Sequence, residues 1–230
     1  MKEIGARLAD VRRRIDGACA RTGRSPDEVT LVAVSKGHAA SAITAAYVAG
    51  LRDFGENRVQ EASSRIAALR RHLAGARWHL VGHLQTNKVR AALELFDILH
   101  SVDSERLARA LSERASSQVR VLLEVNIGGE ASKSGVSPDQ APALAERLGA
   151  MDRVELAGLM TVAPAVDDPQ DVRPLLRRMR QLRDAIGLHE LSMGMTDDFE
   201  VAIEEGLTLV RVGRAVFGNP PGRGGLTEEA

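Results

Sequence analysis

The sequence predicts a single (β/α)8 barrel with one extra helix in front of it. Three observations carry this. Eight short apolar runs alternate with longer amphipathic segments, and strict strand–helix alternation implies right-handed crossovers and a parallel sheet. The length, 230 residues, is near the usual size for that barrel. The first apolar run leads into Ser35-Lys36-Gly37-His38 rather than a glycine-rich dinucleotide turn, which disfavours the doubly wound open sheet that is the runner-up architecture.

The elements follow in order. Ile4, Leu8, Val11, Ile15 and Cys19 recur at helical spacing and predict an opening helix from Ile4 to Arg21, ended at Gly23. Strands are expected at Leu31–Val34, Leu51–Phe54, Trp78–Val81, Ile98–Ser101, Val119–Val125, Glu155–Met160, Glu190–Met193 and Leu207–Val212. Helices are expected near Ala39–Ala49, Arg58–Leu73, Lys88–Leu95, Ser104–Ala115, Pro138–Leu148, Asp171–Ile186 and Asp198–Glu205. Asp103-Ser104-Glu105 and Ser137-Pro138-Asp139 carry the start signals of two of them. The barrel domain is expected over residues 1–218, and the Pro/Gly-rich residues 219–230 read as a flexible tail.

Composition narrows the function. Lys+Arg and Asp+Glu both total 31, which argues against affinity for nucleic acid from bulk charge. Aromatic residues make up only 3%, so no base-stacking platform is evident. The single cysteine, Cys19, can form no intramolecular disulfide, and the N-terminus has no apolar signal core. No stretch reaches the length of a membrane span. A cytoplasmic setting is the expectation.

In such a barrel the active face is built by the loops after the strands. Lys36 closes the first strand there, where a partly desolvated amine can act as a nucleophile toward a carbonyl. A rim lysine that snorkels to water is the plain alternative. Ser192 and Gly194 follow the seventh strand, and Gly213 and Arg214 follow the eighth. Barrel phosphate sites are often built from those two loops, although glycines there also serve simply as turns. Strand eight closes onto strand one, so a ligand with both a carbonyl and a phosphate would span the two sites. Pyridoxal 5′-phosphate (PLP) has both. Alternation puts Leu209, Arg211 and Gly213 on one face. If that face points inward, Arg211 meets the ring nitrogen as a donor and leaves it unprotonated, a weaker electron sink than an aspartate partner would give. An ordinary rim ion pair is the alternative for Arg211.

A set of ordered motifs now becomes specific. They are Leu31-Val32-Ala33-Val34-Ser35-Lys36, Phe54-Gly55-Glu56-Asn57-Arg58-Val59-Gln60-Glu61, Trp78-His79-Leu80-Val81-Gly82-His83-Leu84-Gln85-Thr86-Asn87-Lys88, His100-Ser101-Val102-Asp103, Gly158-Leu159-Met160, Leu191-Ser192-Met193-Gly194-Met195-Thr196-Asp197-Asp198, Val210-Arg211-Val212-Gly213 and Val216-Phe217-Gly218. In this order, from the opening helix to Gly218, the chain resembles the pyridoxal phosphate homeostasis protein family. The resemblance implies a barrel like the N-terminal domain of alanine racemase, with PLP held as a Schiff base on Lys36. It implies phosphate contacts from Ser192 and the backbone at Gly213 and Arg214, a cofactor contact at Met193, a ring-nitrogen contact from Arg211, and Asn57 near the ring hydroxyl. Arginine at 214 replaces the small hydroxyl residue common there, so a backbone contact is kept and a hydroxyl donor is lost. The implied role is PLP binding and vitamin B6 homeostasis, with apo PLP-dependent enzymes as candidate recipients.

An enzyme reading, a PLP-dependent racemase or relative, needs a proton donor or acceptor on each side of the substrate carbanion. Lys36 can serve one side. The single tyrosine, Tyr47, falls in the helix after strand one. His83 and His100 lie near the active face but read more naturally as structural histidines. The His79/His83 pair lacks the glutamate and the helix of a zinc-protease motif, so no metal site is expected. The expectation is a non-catalytic, monomeric PLP-binding protein.

Overall fold

The computed structural model describes residues 2–220. Helix α1 (Lys2–Thr22) is followed by eight parallel strands in unbroken sequence order: β1 (Thr30–Val34), β2 (Asp53–Glu56), β3 (Arg77–Leu80), β4 (Ile98–Val102), β5 (Val119–Glu124), β6 (Val154–Met160), β7 (Glu190–Ser192) and β8 (Leu209–Val212). β8 pairs back onto β1 and closes the barrel. The intervening helices are α2 (Ala40–Val48), α3 (Val59–Leu69), α4 (Val89–Leu95), α5 (Glu105–Arg114), α6 (Ala141–Gly149), α7 (Arg173–Ile186) and α8 (Phe199–Glu204), and a single helical turn, α9 (Arg214–Phe217), follows β8. Of the tail expected from Asn219, the part beyond Pro220 lies outside the described residues.

Most of the local rules read from the sequence hold, but the start signal at Ser137-Pro138-Asp139 does not: α6 begins at Ala141, after a turn and without a side-chain cap. The α1 stripe is buried at Leu8, Val11, Ile15 and Cys19 and packs on α8, α9 and α2. Ser104 caps α5 by accepting from the Leu107 amide at 3.4 Å. Gly187 ends α7 in the left-handed region, at φ 80°. The second strand departs most from expectation, running Asp53–Glu56 rather than Leu51–Phe54. Gly55 reads locally as a strand breaker, yet it pairs with His79 of β3. Its missing side chain is what lets β1 lie close, since a Cβ there would sit 3.2 Å from both Val32 and Val34.

Two apolar layers result. The larger lies between sheet and helices and includes Phe54, Trp78, Leu99 and Val212. The smaller fills the barrel interior with Val32, Leu122, Ala157, Met160 and Leu209. The N-terminal mouth is closed by ion pairs: Arg77 with Asp53 at 2.7 Å, and Arg120 with Glu190 at 2.7 Å and Glu155 at 2.9 Å. The interior is therefore solid below and polar only toward the C-terminal mouth and along one line described next.

Candidate functional site

The site begins at the β1–β8 seam. Val32 lies beside Arg211 and Ala33 beside Val212. Gly213 then abuts Val34, where a Cβ would stand 3.2 Å from the Val34 carbonyl. Lys36 follows two residues later, on the turn after β1, with Gly37 at φ 75°. Its side chain is exposed, so the partly desolvated amine expected from a strand terminus is not found: the strand stops at Val34 and the chain turns outward before the lysine. Its flanks are nevertheless pinned. The Ser35 amide donates to Gly55 O at 2.8 Å and its hydroxyl to Glu56 Oε1 at 2.7 Å. Arg65 of α3 donates to the same oxygen at 2.6 Å and to His38 O at 3.2 Å. Glu56 is 1% exposed, so both bonds to it act in a low dielectric.

Arg211 points into the barrel, on the same strand face as Leu209 of the interior layer. It donates through Nη1 to Ser192 Oγ at 2.6 Å and through Nη2 to Thr161 O at 2.7 Å. Burial lowers its pKa to about 10, against the opposing pull of Asp198 and Glu124, so it stays cationic near neutrality. Glu124, at the end of β5, is pushed up to about 7 by burial and by Asp103, with Arg211 opposing. Its Oε2 has no hydrogen-bond partner among the described residues.

Below Arg211 a polar line crosses the interior. Ser192 Oγ is 2.9 Å from His100 Nδ1, His100 Nε2 is 2.9 Å from His79 Nδ1, and His79 Nε2 is 2.9 Å from Asp53 Oδ1. All four residues are buried. Burial drives His100 well below its ordinary pKa, with His79 and Arg211 adding to the effect. Burial pushes Asp53 upward, but the bonds from His79 and Arg77 outweigh it and hold the carboxyl low. The sequence reading missed this line. Its signal was strand alternation: Trp78, Leu80 and Leu99 face the helices, so His79 and His100 must face inward, as Asp53 must beside Phe54.

The remaining expected residues divide. Met193 is fully buried in the outer layer, which leaves its backbone for the mouth. Gly194 has φ 78°, and a Cβ there would lie 2.8 Å from Ala202. Gly213 precedes the first turn of α9, where amides lack intrahelical partners. Arg214 turns its exposed side chain to Asp197 at 2.7 Å. Asn57 is half-buried on the bend after β2, and its carbonyl occupies the space a side chain at Gly82 would need. It lines a cleft of about 460 Å³ with Arg58, Gly82, His83 and Lys88. A neighbouring cleft of about 640 Å³ includes His83, Gln85 and Asp103. Both clefts open on the β2–β4 side of the mouth, beside the Lys36–Arg211 seam rather than on it. His79 and His83 do not converge: His79 faces the interior, and His83 meets Asp103 at 3.3 Å. Among the described residues no three His, Cys, Asp or Glu groups form a metal-sized cluster.

Residues 7–221 match the family model described as the alanine racemase N-terminal domain. The chain is 42% identical over 221 residues to the pyridoxal phosphate homeostasis protein of Aquifex aeolicus, spanning 92% of this chain and 96% of that one. It is 43% identical over 223 residues to the protein of the same name from Pseudomonas aeruginosa, spanning 95% and 96%. The structure of PipY of Synechococcus elongatus with PLP bound superposes with a TM-score of 0.81 at 38% identity, over 94% of this chain and 100% of that one. With these matches along nearly its whole length, the chain belongs to the pyridoxal phosphate homeostasis protein family.

Proposed function

We propose that this protein binds PLP at the β1–β8 seam and serves in its intracellular supply. The observation that carries the reading is Arg211, a buried cation locked onto Ser192 and Thr161 on the strand that pairs with the one leading to Lys36. The residues fit the group. Lys36 supplies a solvent-reachable amine for its aldehyde, and Arg211 offers only donors to a ring nitrogen. The backbone of Met193 to Gly194 and of Gly213 to Arg214 lies at the end where a phosphate would rest, with Ser192 beneath it. Asn57, on the bend after β2, would be the residue to meet the ring hydroxyl. When bound, PLP would supply an electrophilic carbon and an electron-withdrawing ring, and an arginine that leaves the ring nitrogen unprotonated would make that ring a weaker electron sink than a carboxylate partner would.

Binding and delivery, rather than turnover, are favoured by the position of the one tyrosine. Tyr47 lies outside the barrel wall, its hydroxyl bonded to Ala74 O at 2.8 Å, and cannot serve the mouth. The reading includes a monomer in the cytoplasm that hands PLP to apo PLP-dependent enzymes. No helix among the described residues is long and apolar enough to cross a membrane. The experiment is reactivation of an apo PLP enzyme by the loaded protein, compared with an equal concentration of free PLP. Faster or more complete reactivation by the loaded protein is expected. Reactivation that only tracks PLP released into solution contradicts the supply role.

Glu124 favours a second reading, a PLP-dependent enzyme of amino acids. A buried carboxyl that changes charge near pH 7 suits proton transfer. Deuterium exchange at the α-carbon of single amino-acid enantiomers tests it, and exchange that disappears in Glu124→Gln would establish it.

A further inference from the structure

The interior line from Arg211 to Asp53 has a direction fixed at both ends. Arginine only donates, and an ionised carboxylate only accepts. Asp53 is held ionised by two donors, so His79 must carry a proton on Nε2. With both histidines neutral, His79 Nδ1 then accepts from His100 Nε2–H, and His100 Nδ1 accepts the Ser192 hydroxyl proton. Ser192 already accepts from Arg211. In this state its hydroxyl has nothing to give a ligand.

Two arrangements keep every bond with one more proton and Asp53 ionised, the added charge resting on His100 near the Arg211 cation or on His79 against the Asp53 carboxylate, and the neighbouring charges favour the second. In the second, the proton in each bond moves one step toward Asp53: from Ser192 to His100 Nδ1, and from His100 Nε2 to His79 Nδ1. Ser192 regains a proton from solvent at the mouth and directs it outward. His79 becomes an imidazolium beside the Asp53 carboxylate. Only O–H and N–H bonds exchange, and the balance is one proton taken from water.

We infer that seating a phosphate-bearing ligand on Ser192 is coupled to uptake of one proton, held at the far end of the barrel on His79 against Asp53. This rests on the reading of Ser192 as a phosphate contact given above. The surrounding charges suit it. His79 faces Asp53 on β2 and His100 on β4, with Arg77 behind Asp53. His100 faces Ser192 on β7 and the Arg211 charge on β8. Glu124 on β5 and Asp198 before α8 act on Arg211 from the other side. The two arginines oppose an added positive charge, the carboxylates favour it, and a phosphate brings negative charge to the same column. His79 and His100 are thus positioning residues that act through Ser192.

The test is nitrogen-15 NMR of the histidine rings of the full chain, without and with PLP. The expected result is Nε2-protonated His79 and His100 without ligand. On loading, His100 carries its proton on Nδ1 and His79 carries two. If PLP absorbance reports attachment to Lys36 while both rings stay unchanged, the proton coupling is overturned and the binding reading stands. If PLP never reaches Lys36, the binding reading fails and takes this one with it. A second measurement uses pyridoxine 5′-phosphate, which has no aldehyde, and calorimetry in buffers of different ionisation enthalpy. Gln at 79 can donate to Asp53 and accept from His100 but cannot gain a proton. Wild type is expected to take up about one proton more than His79→Gln, and its affinity to fall with rising pH by up to about tenfold per unit relative to the variant. Equal uptake overturns the proposal.

Discussion

Arg211 and Ser192 are bonded at 2.6 Å inside the closed barrel, and both residues are buried beneath its mouth. The second Arg211 nitrogen holds the Thr161 carbonyl at 2.7 Å, so three strands, β8, β7 and the end of β6, meet at one planar guanidinium. Its fork geometry suits two divergent acceptors, which an ammonium serves less well.

Arg211→Lys therefore keeps a cation but is expected to lose one of the two bonds. A buried acceptor left unpaired costs about 1–3 kcal/mol. Urea denaturation is expected to show a loss of that size, and PLP titration an affinity at least about tenfold weaker. Unchanged affinity would remove Arg211 from the site.

Glu124 gives a pH dependence with a definite sign. Its pKa is raised to about 7 in the fold, so between the ordinary carboxylate value and pH 7 the folded chain binds more protons than the unfolded one. Stability contributed by this group therefore falls as pH rises through that window. Glu124→Gln removes the titration. It is expected to be more stable than wild type at pH 8, by up to about 3 kcal/mol, with the difference vanishing below pH 4.5. Denaturation at both pH values checks it, and an acid-side rather than alkaline-side gain would contradict the assignment.

Glu56 anchors the turn that presents Lys36. Glu56→Ala leaves Ser35 and Arg65 without their shared acceptor. Breaking a buried pair in this way is expected to destabilise by about 3 kcal/mol. Hydrogen exchange at residues 35–38 is expected to accelerate beyond the global change, because the anchor and not the strand holds that turn. Uniform acceleration would show that the turn is fixed by other contacts.

Gly194→Ala meets two obstacles, a left-handed backbone and the Ala202 methyl carbon at 2.8 Å. The loop after β7 must shift, and with it the Arg211 amide bond to Gly194 O, 3.1 Å long. Weaker binding of PLP with little change in far-UV circular dichroism is the expected outcome. Wild-type affinity would exclude this loop from the phosphate end.

The barrel was legible because its signals are local. Eight short apolar runs and the α1 stripe each announce themselves within a few residues, and alternation put Arg211 on the face of Leu209, which the structure turns inward. The buried relay was not legible in the same way. Asp53, His79, His100 and Ser192 are separated by 26, 21 and 92 residues along the chain, and only closure of the barrel brings them together. The exposure of Lys36 was also hidden, because it depends on where β1 stops and on Glu56 and Arg65, which belong to the next βα unit. Bonds between strands set these features, and no window along the sequence contains them.

The most direct test is chemical. The chain has four lysines, Lys2, Lys36, Lys88 and Lys133. Borohydride reduction of the PLP-loaded protein, followed by peptide mass spectrometry, is expected to place the pyridoxyl group on Lys36 at stoichiometric PLP. Modification of another lysine with Lys36 untouched would contradict the account.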